Sequence, residues 1–397
     1  MADILKIVLV LLLILVLLRK KLPLGAVMLI ASAGLAALYL MSPQRLVEAA
    51  GRAALSDVSI KLLLALSLIR IFELVLREKE VMAAMMSAVK GFFSNRKAVI
   101  ISMPLLIGML PSLGGAYFSA PMVKEATTGL KMPPEEKAFI NYWYRHPWEF
   151  ILPLYPGILL AAAVSGVPLA HLITANLAYA VVLFATGFLY SMRGVAERSP
   201  HAERPKVGWR DSINFLPVAA VLVSVALLHV ELHYALLVII PILFIVLRYR
   251  VREIPRLIRY GFTLEVISLI AGIMFFKETM EASGAVKNLS AFFISHGIPV
   301  IPIVCLLPFV TGLLTGHTVG FVGSTFPLVM NVAGNGLPII SLAFAAGFLG
   351  VLVSPVHLCL VLTREYFRAD MAGVYRMVVP ASAIIFAVAV AEYLVMR

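Results

Sequence analysis

The chain has little charge, almost no cysteine, and none of the short motifs that mark common catalytic or nucleotide sites. Of its 397 residues only 14% are charged and 61% are hydrophobic, whereas a soluble domain is about a quarter charged. That balance excludes an ordinary water-soluble domain and calls for a bilayer. Cys305 and Cys359 are the only cysteines and both lie in apolar segments. A disulfide framework is thereby excluded, neither cysteine fits a metal-ligand spacing, and no redox role is expected. The sequence contains no His-Glu-x-x-His, no Gly-x-Ser-x-Gly and no Gly-x4-Gly-Lys-Ser/Thr, which argues against a zinc protease, a serine hydrolase and an ATP-driven pump. Glu135-Glu136 begins like an intramembrane protease motif, but the Arg and His such a motif needs are not at the right spacing. The expectation is therefore a protein without catalytic residues.

What the sequence does have is apolar text. The runs 4–18, 22–41, 172–190, 215–228, 236–247 and 378–395 approach or reach the ~20 residues that cross ~30 Å of hydrocarbon as helix. The first has no small-x-small cleavage signature and is followed at once by the second, so it reads as a retained helix. The formal net charge of +12 does not point to nucleic acid, because in a membrane protein basic residues collect at cytoplasmic helix ends. Lipids are the expected surroundings. The basic clusters are Arg19-Lys20-Lys21, 77–97, 124–137, 193–210, 248–259, and Arg364, Arg368 and Arg376. Placing them in the cytoplasm gives an all-α polytopic protein of the inner membrane with about ten transmembrane helices and both termini outside.

The hairpin formed by the first two runs has its basic tip inward, whereas the hairpin over 215–247 points its tip, 229–233, outward. Two hairpins of opposite sense suggest inverted-topology repeats, so self-similarity is expected. At an offset of about 204 residues, Pro104 and Gly108 match Pro308 and Gly312, and Pro121 and Pro153 fall against Pro327 and Pro355 at nearly the same spacing. The stretch IRIFELVLREKEVMAAM likewise resembles IMFFKETMEASGAVKNL. The chain divides on this reading into a first repeat over 1–191, a basic cytoplasmic linker over 192–211, and a second repeat over 212–397.

Glycine and proline clusters at membrane depth persist only where protein or a watery cavity surrounds them. Two occur at equivalent places, GMLPSLGGAYFSAP and GLLTGHTVGFVGSTFP, and each follows an apolar stretch too short to span. They predict re-entrant hairpins at about 98–124 and about 298–328, with tips near the midplane. Hairpin tips offer helix N-terminal amides to anions, and carbonyls and hydroxyls to cations such as Na+. The candidate solute contacts are Ser112, Gly114, Gly115 and Ser119 on one side, with Thr315, Gly316, His317, Thr318 and Ser324 on the other. A second broken element follows each hairpin: Pro153, Tyr155 and Pro156 mark one, and Ser354, Pro355 and His357 the other. Between them, NYWYRHPWE is unusually polar for its surroundings. Its aromatic residues suggest an interfacial belt, while Arg145 suits an anion contact or gate, and His146 and Glu149 suit proton carriage. Arg70 and Glu73 have the spacing of a structural pair on one helix face, and Lys277 and Glu278 read as snorkelling to the outer surface.

With GMLPSLGGAYFSAP, NYWYRHPWEFILPLYPG and GLLTGHTVGFVGSTFP in that order, the chain resembles an integral-membrane family of prokaryotes, of the domain of unknown function 401 type, grouped with the ion transporter superfamily. The resemblance covers nearly the full length. It implies elevator-type secondary carriers, in which scaffold helices (here within 1–41 and 212–248) mediate a homodimer. The transport parts (57–191 and 260–397) would each carry one re-entrant hairpin and one broken helix. The dicarboxylate carriers of that superfamily have Ser-Asn-Thr at each tip; here the tips read Pro-Ser-Leu-Gly-Gly and Thr-Gly-His-Thr. The combined expectation is a symporter of a small organic anion coupled to Na+ or H+, with no other cofactor and no resident metal. A cation/proton antiporter is the alternative, for which Glu149 is the best-placed carboxylate, and an intramembrane enzyme is the second.

Overall fold

A computed structural model describes residues 2–20, 22–92, 95–111, 115–192, 195, 209–284 and 299–396. The described residues fold as helices joined by short turns. Four helical stretches are long and apolar enough to cross a membrane: Pro134–Ser165, Leu169–Tyr190, Val251–Ser283 and Met371–Met396. Composition and helix pattern together make this a membrane protein, because apolar helices are the form in which a chain pairs its backbone groups within hydrocarbon.

The first half runs α1 (Ala2–Arg19), α2 (Leu24–Leu38), α3 (Pro43–Leu55), α4 (Asp57–Glu78), α5 (Val81–Phe92), α6 (Arg96–Gly108), α7 (Gly115–Ala126), α8 (Pro134–Trp143), α9 (Trp148–Ile151), α10 (Pro156–Ser165) and α11 (Leu169–Tyr190). The second half runs α12 (Leu216–Leu222), α13 (Leu232–Val246), α14 (Ile254–Gly261), α15 (Leu264–Ser283), α16 (Val300–Thr315), α17 (Thr318–Ala333), α18 (Leu337–Leu352), α19 (Leu358–Phe367) and α20 (Met371–Met396). In each half an apolar hairpin is followed by a short amphipathic helix, α3 or α14, and then by a long helix, α4 or α15. Both long helices start at a hydroxyl cap: Ser56 accepts from the Ser59 amide and Thr263 from the Val266 amide.

Packing between the halves is reciprocal. α15 lies on α2 and α3, while α4 lies on α13 and α14; α17 lies on α10, and α7 on α19; α11 pairs with α20. The α2–α15 crossing is backbone on backbone. A Cβ at Gly25 would sit 2.3 Å from the Ser268 carbonyl oxygen, and one at Gly272 2.3 Å from that of Gly25. Small residues at helix crossings are how membrane helices gain dispersion contacts where lipid gives no hydrophobic drive.

Helix lengths decide which elements fall short of a span. α6 and α7 have 13 and 12 residues, and α16 and α17 have 16 each. At 1.5 Å per residue these are about 18–24 Å long, short of the ~30 Å of hydrocarbon. Each pair folds back on itself, and the first limb of each packs on the broken helix of its own half.

Three sequence-based expectations are corrected. Arg70 does not pair with Glu73; it donates to the Tyr260 carbonyl (3.3 Å) and lies over that ring, while Glu73 meets Arg77 at 3.7 Å. The reason is that α14 covers this face of α4. Glu278 does not snorkel, being buried against Arg52 of α3 at 3.0 Å. Tyr142, Trp143 and Tyr144 form no interfacial belt, since all three are wholly buried.

Candidate functional site

Two broken helices meet in the interior, and proline chemistry explains where they break. α8 stops at Trp143, and Pro147, Pro153 and Pro156 then remove amide donors, leaving one turn of helix (α9) between irregular stretches. In the second half α18 ends at Leu352, Pro355 interrupts the chain, and α19 begins at Leu358. Hydroxyls in these breaks catch carbonyls at the end of each hairpin's first limb. Tyr155 donates to the Gly108 carbonyl, and Ser354 donates to that of Leu313 at 2.6 Å. Carbonyls in the last turn of a helix have no partner within it, so these bonds hold hairpin and break together.

Glycine sets how closely they approach. A Cβ at Gly108 would lie 2.3 Å from the Arg145 carbonyl oxygen, and one at its sequence match Gly312 would lie 2.2 Å from that of Gly347. The second hairpin turns at Gly316, whose φ of +68° suits glycine, and a Cβ there would sit 2.9 Å from the His357 amide. Gly157, at the start of α10, lies against the Thr318 side chain. The tip of the second hairpin thus reaches both breaks.

The side chains at this junction are ionisable and deeply placed. His146 and His357 face each other with Nε2 atoms 3.2 Å apart, and they are 2% and 6% exposed. His146 Nδ1 lies 2.6 Å from the Tyr142 carbonyl oxygen, which fixes the Nδ1–H tautomer and leaves Nε2 as a lone pair. Tyr142 in turn donates to the Leu352 carbonyl of the other break at 2.8 Å. Glu149 approaches His146 Nε2 at 3.8 Å, and the Thr318 hydroxyl is within its reach. Arg145 is 4% exposed, and its Nε and Nη1 have no hydrogen-bond partner among the described residues. Its guanidinium lies beside Cys359. Asn141 ties the neighbourhood together by donating to the Ala116 carbonyl of α7 (3.1 Å) and to the Thr363 hydroxyl of α19 (2.9 Å).

The structure therefore brings Arg145, His146, Glu149, Tyr155, Thr318 and His357 into one neighbourhood. Of the remaining sequence candidates, Ser112 and Gly114 lie outside the described residues. Gly115 opens α7, and Ser119 and Ser324 are buried with their hydroxyls turned to carbonyls of their own helices. Thr315 bonds the Thr311 carbonyl, and His317 is exposed with Nδ1 2.8 Å from the Thr315 oxygen. Pro153 is buried, Pro156 half-buried and Pro355 exposed. The sequence reading missed Cys359 and Tyr142. The Sγ of Cys359 and the ligating nitrogens of His146 and His357 all lie within 4.8 Å of one another. No local spacing signals this, because His146 and Cys359 come from opposite halves of the chain.

The sequence model of a family described as protein of unknown function (DUF401) matches residues 2–396. No curated protein matches the sequence. Among solved structures, the YdaH transporter of Alcanivorax borkumensis is similar in fold, with a TM-score of 0.61 at 13% identity, covering 96% of this chain and 98% of that one.

Proposed function

We propose that this chain, which belongs to the family described as protein of unknown function (DUF401), is a secondary active transporter of a small organic anion, coupled to H+ or Na+. One observation carries the reading: Arg145 is buried at the meeting point of two broken helices, and its Nε and Nη1 have no hydrogen-bond partner among the described residues. A buried donor left without a partner costs about 1–3 kcal/mol, and more when charged. An intramembrane cation is retained where it faces a partner or a pathway. A carboxylate suits it, because the guanidinium fork accepts one in two parallel hydrogen bonds.

The surroundings support the same reading. Amides at the start of α7, α17 and α19 favour an anion, and carbonyls at the ends of α6 and α16 favour a cation. His146, His357 and Glu149 offer a place for a coupling proton. Sodium would instead lie against the carbonyls and the Thr315, Thr318 and Ser354 hydroxyls. The reciprocal packing of the halves is what two inverted repeats would make, and the fold likeness to a transporter supports the transport reading. We infer an elevator-like cycle in which the short hairpins and broken helices move as a body against α1, α2, α12 and α13. Those helices would also form a homodimer in the inner membrane, with both termini outside.

A thermal-shift panel on the purified protein tests the reading, using carboxylates, sugar acids, oxyanions and amino acids, each with and without sodium at two pH values. A ligand at 100 times its Kd stabilises the folded state by about 2.7 kcal/mol. One anion class should raise the melting temperature in the wild type and not in Arg145→Gln. A second reading rests on Glu149, the carboxylate 3.8 Å from His146. If sodium or pH alone shifts melting and no anion does, the protein is a cation/proton antiporter.

A further inference from the structure

We propose that His146, His357 and Cys359, with Glu149 as the fourth donor, form a site for a zinc-class divalent transition-metal ion between the two broken helices. The donors come from both halves of the chain and converge on one point. The two imidazole Nε2 atoms stand 3.2 Å apart, and one ring nitrogen of each histidine and the Cys359 Sγ all lie within 4.8 Å of one another. A tetrahedral ion at ~2.0–2.1 Å from two imidazole nitrogens holds them roughly 3.3–3.4 Å apart, and its bond to a thiolate is ~2.3 Å, so the spacing needs little adjustment. The Glu149 carboxylate lies 3.8 Å from His146 Nε2, and in the proposed site it supplies the fourth donor.

The outer contacts are those of a ligand set. His146 gives its Nδ1–H to the Tyr142 carbonyl, the arrangement by which metal-bound histidines are usually oriented and their other nitrogen left free to coordinate. The His357 ring faces His146 through Nε2 and packs edge-on against Tyr142. Imidazole, thiol and one carboxylate select zinc, cobalt or a similar borderline ion over magnesium or calcium, which prefer all-oxygen sites.

Binding is written with its proton: the thiol of Cys359 becomes a thiolate, its proton leaves to solvent, and the ion takes the sulfur lone pair. The thiolate and the Glu149 carboxylate then offset the ion's two charges, and Arg145 keeps the site net positive. The site shares His146, Glu149 and His357 with the proposed coupling groups, but it requires no anion and stands whether or not one is carried.

The test is Co2+ titration of the full-length protein, purified with a tag free of histidine, stripped with chelator and kept reduced without thiols. The wild type should take up one equivalent of cobalt, with a thiolate-to-cobalt charge-transfer band in the near ultraviolet and intense visible bands of a tetrahedral ion. Zn2+ should displace both. Cys359→Ser should lose the near-ultraviolet band while keeping visible bands, and His357→Ala should weaken binding by roughly tenfold or more. Wild-type protein that shows no near-ultraviolet charge-transfer band, or such a band that persists in Cys359→Ser, overturns the proposal. Folding of each variant is checked by its elution as a single species and by its melting temperature. Arg145→Gln separates the two readings. It should abolish the anion-induced thermal shift and leave a cobalt band, so loss of the transport reading would leave the metal site standing, and the reverse.

Discussion

At the scale of single residues, the proposed transport rests on Arg145, a cation buried in the interior. The stretch around it was legible as dense in polar and aromatic groups, but its depth was not. Tyr, Trp and Arg are equally at home at a membrane surface and in a buried network, and only the fold distinguishes the two. Tyr142 and Trp143 are wholly buried with their polar atoms partnered across helices, at the Leu352 and Leu183 carbonyls. Tyr142→Phe should therefore cost about 1–3 kcal/mol by leaving a buried carbonyl without its donor, measured as a lower melting temperature in detergent; an unchanged value would mean that the bond adds nothing. Gly316→Ala should also destabilise, by about 1–2 kcal/mol for a left-handed backbone plus the crowding of a Cβ 2.9 Å from the His357 amide. Cys359 was invisible beforehand because its neighbours His146 and Glu149 belong to the other half of the chain, and no spacing rule spans such a separation.

At the scale of elements, local chemistry carried further. The proline and glycine clusters near 108–121 and 312–327 fall where short helices end and restart in the structure, because loss of an amide donor acts within a few residues. The tip residues Ser112 and Gly114 lie outside the described residues, so the first hairpin is fixed at Gly108 and Gly115. What the sequence did not show is why these glycines are needed. Gly312 and Gly350 let α16 and α18 touch along their backbones, since a Cβ at either would lie 2.2 or 2.1 Å from a facing carbonyl oxygen. Gly312→Leu should prevent accumulation of folded protein in the membrane. Gly51→Ala, in α3 with open space around it, should be neutral or stabilising by about 0.5–1 kcal/mol. Comparing yield and melting temperature of the two separates close packing from a general intolerance of glycine replacement.

For the whole molecule, charge distribution and an internal match suggested two halves of opposite orientation, and the reciprocal contacts of α2 with α15 and α13 with α4 are what such halves would make. The charge argument was available because Lys and Arg are disfavoured in translocated loops; the pairing of elements across halves was not, since it depends on tertiary packing alone. The orientation makes a direct prediction. A phosphatase that is active only outside the cytoplasm should work when fused after the last helix, and a fluorescent protein that matures only inside should stay dark there. The opposite pair of results would reverse the proposed topology.

The account rests on an anion crossing the membrane past Arg145. Uptake into liposomes containing the purified protein measures this most directly, using the radiolabelled anion that the thermal-shift panel selects and an imposed inward proton or sodium gradient. The account predicts gradient-dependent accumulation that collapses when the gradient is dissipated and falls to the level of empty liposomes in Arg145→Gln. Accumulation that proceeds equally well in folded Arg145→Gln protein would contradict it.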